Sequence, residues 1–359
     1  MIAEHLENLR NYRKMRWGLR ALSSWTSLCE LLGEYQPPCR SLAINQERKW
    51  ELVSAFQKTI RRGDKQMALR LISAIDSMPA EYAYFWRRLC VIACEDIGPA
   101  SDTLTAFVVT CNAVFPPKKT GSKNYDLFCF LAEQMCGLST RSRIYCSYGV
   151  IEEAASGSSL PELSVEDVPI ISAIMKRKAA VQAPESPWQE WQKKNDWRAG
   201  RLLTFLGLTL PVEMVTVRTP VPPYVMLFGL PSYSYDMYTR VGLEVLRRFI
   251  KGVSGAESIR DFFRENKVKG AHRALGEALF FEEGGRIRGE LIYAPLSDLE
   301  QRLFAHQFEL TFSEWMRLRI LVKSALADGL IDQVREEVLG RFYADRNCTQ
   351  LQRQMTLPL

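Results

Sequence analysis

The strongest constraint in this chain is a set of apolar residues at helical intervals that stops at one glycine and restarts at once. Trp50, Val53, Phe56 and Ile60 recur at steps of three and four, the spacing that lines one face of an α-helix. Gly63 then offers the left-handed conformation that ends a helix, and Asp64 is a residue type that caps the next. Met67, Leu71, Ile72 and Ile75 make a second stripe before Pro79. With Asn45 as the first cap, residues 45–77 are expected to form a helical hairpin whose turn of about two residues forces the helices antiparallel.

The rest of the chain extends that pattern. Residues 3–35 are helix-compatible, and residues 80–97 are apolar nearly all round (Tyr82, Phe85, Trp86, Leu89, Ile92), which marks a central helix ended by Gly98-Pro99. Helices are also predicted over about 102–114, 124–137, 165–180, 236–252, 256–266, 270–283, 297–309, 312–327 and 331–343, with Ser297 and Glu300 as a capping box. Five prolines among β-branched and aromatic residues over 209–235 predict extended chain or a small hairpin. Ser156-Gly157-Ser158-Ser159 before Pro161 reads as a linker. The expected fold is mostly α: a basic helical arm over 1–45, a helical domain over 46–155, and a mostly helical C-terminal domain over 160–359 holding the small Pro-rich extended segment.

Several classes of function are disfavoured. The longest apolar run, residues 224–230, is far short of the roughly 20 residues that cross a bilayer. The opening carries Glu4, Glu7 and Arg10 and no apolar segment, so a secretory signal is not expected and a soluble, cytoplasmic protein is. Nine cysteines are odd in number, scattered, and never spaced as CxxC. Cys90 and Cys94 share a helical face, but the three histidines (His5, His272, His306) are remote in sequence, so buried thiols and no metal are expected. Residues 89–96 imitate the apolar run and acidic pair that hold Mg²⁺ in P-loop ATPases, yet the Gly-x4-Gly-Lys-Ser/Thr phosphate loop is missing. No Gly-x-Ser-x-Gly elbow occurs either. The sequence therefore predicts no enzyme and no cofactor.

Two carboxylates at the end of an apolar helix, Glu95 and Asp96, need cations to offset the helix dipole. Arg61, Arg62, Arg87 and Arg88 are the candidates, and a structural ion-pair network is the expectation. A metal-dependent nuclease pair ranks last, because no further carboxylate cluster completes a two-metal site.

The same residues carry a family resemblance. The run ELVSAFQKTIRRGDKQMALRLISAI, followed by AEYAYFWRRLCVIACEDIG, resembles the segment after the ATPase core in the replication-associated recombination protein A family, clamp-loader-like AAA+ ATPases of stalled replication forks. The matching positions are Arg62, Gly63, Asp64, Arg87, Arg88, Leu89, Glu95, Asp96, Ile97 and Gly98, with Cys94 where that family usually has serine. The resemblance covers about fifty residues strongly. It implies a collar-like helical bundle, the part of clamp loaders that joins subunits, and hence a homo-oligomer or a replication or transcription partner. A collar standing without its ATPase module resembles a phage or mobile-element product.

Clustered positive charge is the direct functional signal. The whole chain carries 47 Lys and Arg against 41 Asp and Glu, a formal +6, so anion binding must come from local density. Arg10, Arg13, Lys14, Arg16 and Arg20 are interleaved with Tyr12 and Trp17 and no acid. Residues 240–273 hold nine cations (Arg240, Arg247, Arg248, Lys251, Arg260, Arg264, Lys267, Lys269, Arg273) against four acids. Beside them lie Tyr224, Phe228, Tyr233, Tyr235 and Tyr238. Cations that track phosphates next to rings that stack on bases suit single-stranded nucleic acid. The sequence predicts a non-catalytic DNA-binding protein of replication, recombination or transcription, with single-stranded or forked DNA preferred. The alternative is a collar-like adaptor that binds a polymerase or clamp-loader subunit and touches DNA little.

Overall fold

The computed structural model describes residues 22–39, 48–78, 80–115, 124–157, 160–161, 163–182 and 214–355. The chain is mostly helical, with fourteen α-helices among these residues. It divides into two compact units that interleave in sequence. Unit 1 takes Met1–Lys49, Thr59–Val221 and Ile287–Leu303; unit 2 takes Trp50–Lys58, Pro222–Arg286 and Phe304–Leu359. This differs from a division at residues 155–160. The helices on either side of that break, α7 (Ile144–Ser156) and α8 (Asp167–Gln182), belong to one unit because Ile144, Tyr148 and Ile151 share a buried cluster with Ile170 and Ile174. An apolar seam of that size outweighs a Ser/Gly-rich turn in setting the boundary.

Unit 1 begins with α1 (Leu22–Glu34) and contains the hairpin of α2 (Lys49–Arg62) and α3 (Lys65–Asp76), although the stretch Trp50–Lys58 of α2 belongs to unit 2. The turn forms as the sequence requires. Gly63 adopts φ 65°, and a Cβ there would lie 2.6 Å from Nη2 of Arg141, so both conformation and space demand glycine. The Asp64 carboxylate accepts from Met67 N at 3.0 Å and caps α3. Trp50 departs from the expected apolar stripe. It sits in the first turn of α2 and is exposed, while Val53, Phe56 and Ile60 are buried. Asn45 lies outside the described residues.

The central helix α4 (Tyr82–Ile92) continues into a π-helical turn, Ala93–Ile97. Trp86 packs edge-on against Phe128 of α6 (Tyr125–Gly137), with ring centroids 5.7 Å apart, and Phe107 of α5 (Asp102–Val114) meets Phe130 at 6.5 Å. Full burial of each such ring is worth about 1.5–3 kcal/mol, so this aromatic layer outweighs any single polar contact in the unit. A short antiparallel pair, β1 (Val215–Val217) with β4 (Glu290–Ile292), completes it.

Unit 2 opens with a hairpin, β2 (Met226–Leu227) and β3 (Leu230–Pro231), within the segment expected to be extended. Three amphipathic helices follow: α9 (Arg240–Gly252), α10 (Glu257–Glu265) and α11 (Ala271–Leu279), the last running into a second π-helical turn, Phe280–Gly284. The chain ends in α12 (Ala294–Gln307), shared between the units, then α13 (Phe312–Ala327) and α14 (Leu330–Met355). Trp315 of α13 stacks on Phe304 and Phe308, each at 6.0 Å, in the unit 2 core.

The expected capping box at Ser297 and Glu300 is not formed. Helix α12 starts earlier, at Ala294-Pro295, where proline suits a first turn, and Glu300 is buried against Ser147 and Arg143. The box occurs at α13 instead, where Glu314 N donates to Thr311 Oγ1 and Thr311 N donates to Glu314.

Candidate nucleic-acid interface

Helix α9 presents the clearest basic surface. Val241, Val245, Leu246 and Phe249 are buried, and the opposite side exposes Arg240, Glu244, Arg247 and Lys251. Steps of four, three and four put these residues in one stripe along the helix, three cations to one acid. Thr239 caps the helix by accepting from Gly242 N at 3.0 Å.

A buried carboxylate fixes where this helix begins. Asp236 accepts from Lys58 Nζ at 2.7 Å and Ser54 Oγ at 3.2 Å, while its other oxygen accepts from Tyr238 N at 3.0 Å. Its carbonyl accepts from both Thr239 N and Thr239 Oγ1 at 2.9 Å. Helix and loop approach so closely that a Cβ on Gly242 would fall 1.8 Å from the Asp236 carbonyl oxygen. Burial lowers the Lys58 pKa, and the Asp236 carboxylate opposes that loss of charge. The ammonium also donates to Tyr233 O, so the buried cation has backbone as well as carboxylate partners.

The cations of residues 240–273, those of the stripe included, are at the surface of unit 2, many of them facing acids. Arg247 pairs with Glu244 at 3.5 Å, Arg248 with Glu337 at 3.2 Å, Arg260 with Glu257 at 3.3 Å and Lys269 with Glu309 at 2.8 Å; Arg264 pairs with Asp261. Lys251, Lys267 and Arg273 are exposed with no ion pair among the described residues. The guanidinium of Arg240 lies over the Phe342 ring, 5.6 Å from its centroid. Exposed pairs are worth only about 0–1 kcal/mol each, so an incoming phosphate competes with them on near-equal terms.

The rings separate into two groups. Tyr235 does not offer a stacking face: it is 1% exposed and its hydroxyl donates to Leu227 O at 2.8 Å. Tyr233 is likewise buried, edge-on to Tyr224 at 5.0 Å. The tight turn Ser232–Ser234 carries both inward, which corrects the expectation that this group of tyrosines meets solvent together. Tyr238 is 64% exposed and edge-on to Phe280, and Phe228 is 46% exposed. Phe342 and Tyr343 entered no sequence argument, although two adjacent rings after Arg341 were visible as a signal. The arm residues Arg10, Tyr12, Arg13, Lys14, Arg16 and Trp17 lie outside the described residues.

Asp96 is fully buried by the π-helical turn and accepts from Arg61 Nε. The turn's carbonyls are also used: Thr105 Oγ1 donates to Ala93 O, and Ser142 N donates to Asp96 O. Arg88 approaches Glu95 at 4.0 Å, and Arg62 is buried. Arg87, one position round the helix from Arg88, is exposed. In unit 2, Glu283 takes both terminal nitrogens of Arg335, at 2.9 and 2.6 Å, and Glu282 accepts from Arg319 Nε at 2.7 Å and from Arg286. Burial works against the Arg335 charge, but Glu283 and Asp332 outweigh it and hold the pKa above its ordinary value.

Cys90 and Cys94 pack with Val109 and Tyr145 in an apolar cluster. Among the described residues no group of three or more His, Cys, Asp or Glu side chains is placed to hold a metal, and no helix is long and apolar enough to cross a membrane. No protein-family model, curated protein or solved structure matches this chain.

Proposed function

We propose that the chain is a non-catalytic DNA-binding accessory protein of replication, recombination or transcription, and that it holds the nucleic-acid backbone on α9. The observation that carries this reading is the exposed stripe of Arg240, Arg247 and Lys251, anchored by the buried Lys58–Asp236 pair. Lys267, Lys269 and Arg273 add positive charge on the same unit. Three phosphate contacts release enough counterions to weaken binding about 40-fold between 50 and 200 mM salt. The resemblance of residues 47–98 to a clamp-loader collar supports a role beside other replication proteins.

Fluorescence anisotropy with single-stranded, duplex and forked oligonucleotides at those two salt concentrations tests the proposal. Binding that weakens steeply with salt is the expected result. Absence of binding to every oligonucleotide at 50 mM salt contradicts it.

One observation favours the adaptor reading: five of the nine cations in residues 240–273 already face acids. A mixed-charge face of that kind suits a protein partner. Retention of a polymerase or clamp-loader subunit after nuclease treatment, with no oligonucleotide binding, is the outcome that reading expects.

A further inference from the structure

The hairpin of unit 2 turns through two residues, Phe228 and Gly229, between the paired Leu227 and Leu230. Both have positive φ, 49° and 83°, the signature of a type I′ turn. Asn, Asp and Gly suit its first central position, and a bulky aromatic residue there is a steric outlier. The Phe228 ring is also 46% exposed. Backbone strain and an exposed apolar ring at one position both oppose folding, and such strain collects where a ligand is met.

The ring is held in place from behind. Phe228 stacks on Tyr343 with centroids 4.9 Å apart and planes 14° apart. Tyr343 meets Phe342 edge-on at 5.9 Å, and Arg240 lies over Phe342 at 5.6 Å. An unbroken series of contacts therefore links the exposed ring to the first cation of the α9 stripe. Hairpin, α9 and these rings all belong to unit 2.

We infer that Phe228 is a stacking platform for an unpaired nucleobase whose flanking phosphates lie on Arg240 and the α9 stripe. This rests on the DNA-binding reading and adds to it a preference for single strands and the unpaired arms of forks. In a duplex the base faces are stacked on one another and give this ring nothing to cover, whereas every unpaired base offers a face. The charge of the stripe selects a polyanion over an apolar peptide, because the ring connects through Tyr343 and Phe342 to Arg240, the first cation of that stripe.

Phe228→Asn tests the inference sharply. It creates Asn-Gly, a pair favoured in type I′ turns, so the melting temperature should hold or rise. Single-strand affinity should fall about 5- to 150-fold, the range for losing one stacked base, while duplex affinity stays within about twofold. Phe228→Gly, which accepts the same φ, should behave alike. A strand carrying 2-aminopurine should be quenched by the wild-type protein and not by either variant. Unchanged single-strand affinity and quenching in folded variants, with the wild type still binding in a salt-dependent way, overturns the stacking role and leaves the backbone reading intact. A wild type that binds no oligonucleotide overturns both.

Discussion

Both units end a helix in a π-helical turn bearing adjacent carboxylates, yet they answer those charges differently. In unit 1, Asp96 of Ala93–Ile97 is met by Arg61 of the preceding hairpin, and Arg88 approaches Glu95 at 4.0 Å. In unit 2, Glu282 and Glu283 of Phe280–Gly284 are met by Arg286, Arg319 and Arg335, so one short turn ties α11 to α13 and α14. The contrast separates two ways of building a helical scaffold. Unit 1 packs aromatic rings around Trp86 and Phe128 and buries the Arg61–Asp96 and Arg143–Glu300 pairs beside them. Unit 2 fastens its helices with buried charge and leaves its outer face to weak, solvated pairs.

The largest effect should come from that buried network. Arg335→Ala leaves Glu283 buried without its bidentate partner and should cost about 3–5 kcal/mol in denaturant unfolding. Arg61→Ala should cost nearer to about 3 kcal/mol, because the aromatic layer around Trp86 and Phe128 stays in place. Equal losses at the two sites would break the comparison.

A pH titration sharpens it next. Asp167 of α8 is held down to about 2 by hydrogen bonds from Arg302, helped by Ser164 N and Oγ. Its folded pKa lies below its ordinary value of 3.8, so the pair's contribution is complete above about pH 4 and is lost as pH falls toward 2. Unit 1 should lose stability in that window, and Asp167→Asn should flatten the profile when melting is followed from pH 5 to pH 2.

The smallest effect belongs to the surface. Lys269→Ala removes an exposed pair with Glu309 and should change stability by less than about 0.5 kcal/mol. A larger change by thermal melting would mean that these surface pairs hold the scaffold and are not free for a ligand.

Local chemistry was legible in the sequence and long-range partnership was not. Gly63, Asp64 and the stripe from Met67 to Ile75 act within a few residues of one another, so their roles follow from spacing alone. Trp50 shared that spacing and still came out exposed, because periodicity fixes a face without deciding where its stripe ends. The α9 stripe was readable as clustered charge, whereas Glu309 and Glu337 are distant in sequence from Lys269 and Arg248. Tyr235 and Tyr238 looked alike in sequence; only the turn at Ser232–Ser234 sorts the buried ring from the exposed one. The same holds for Arg335, whose buried partner Glu283 lies 52 residues away.

The most direct test is the slope of log affinity against log salt for a forked oligonucleotide. It should be compared between the wild type and a variant combining Arg240→Ala, Arg247→Ala and Lys251→Ala. Loss of three phosphate contacts should make the slope shallower by about 2.7, with the fold intact by circular dichroism. Identical slopes in the two proteins would contradict the assignment of α9 as the surface that holds the backbone.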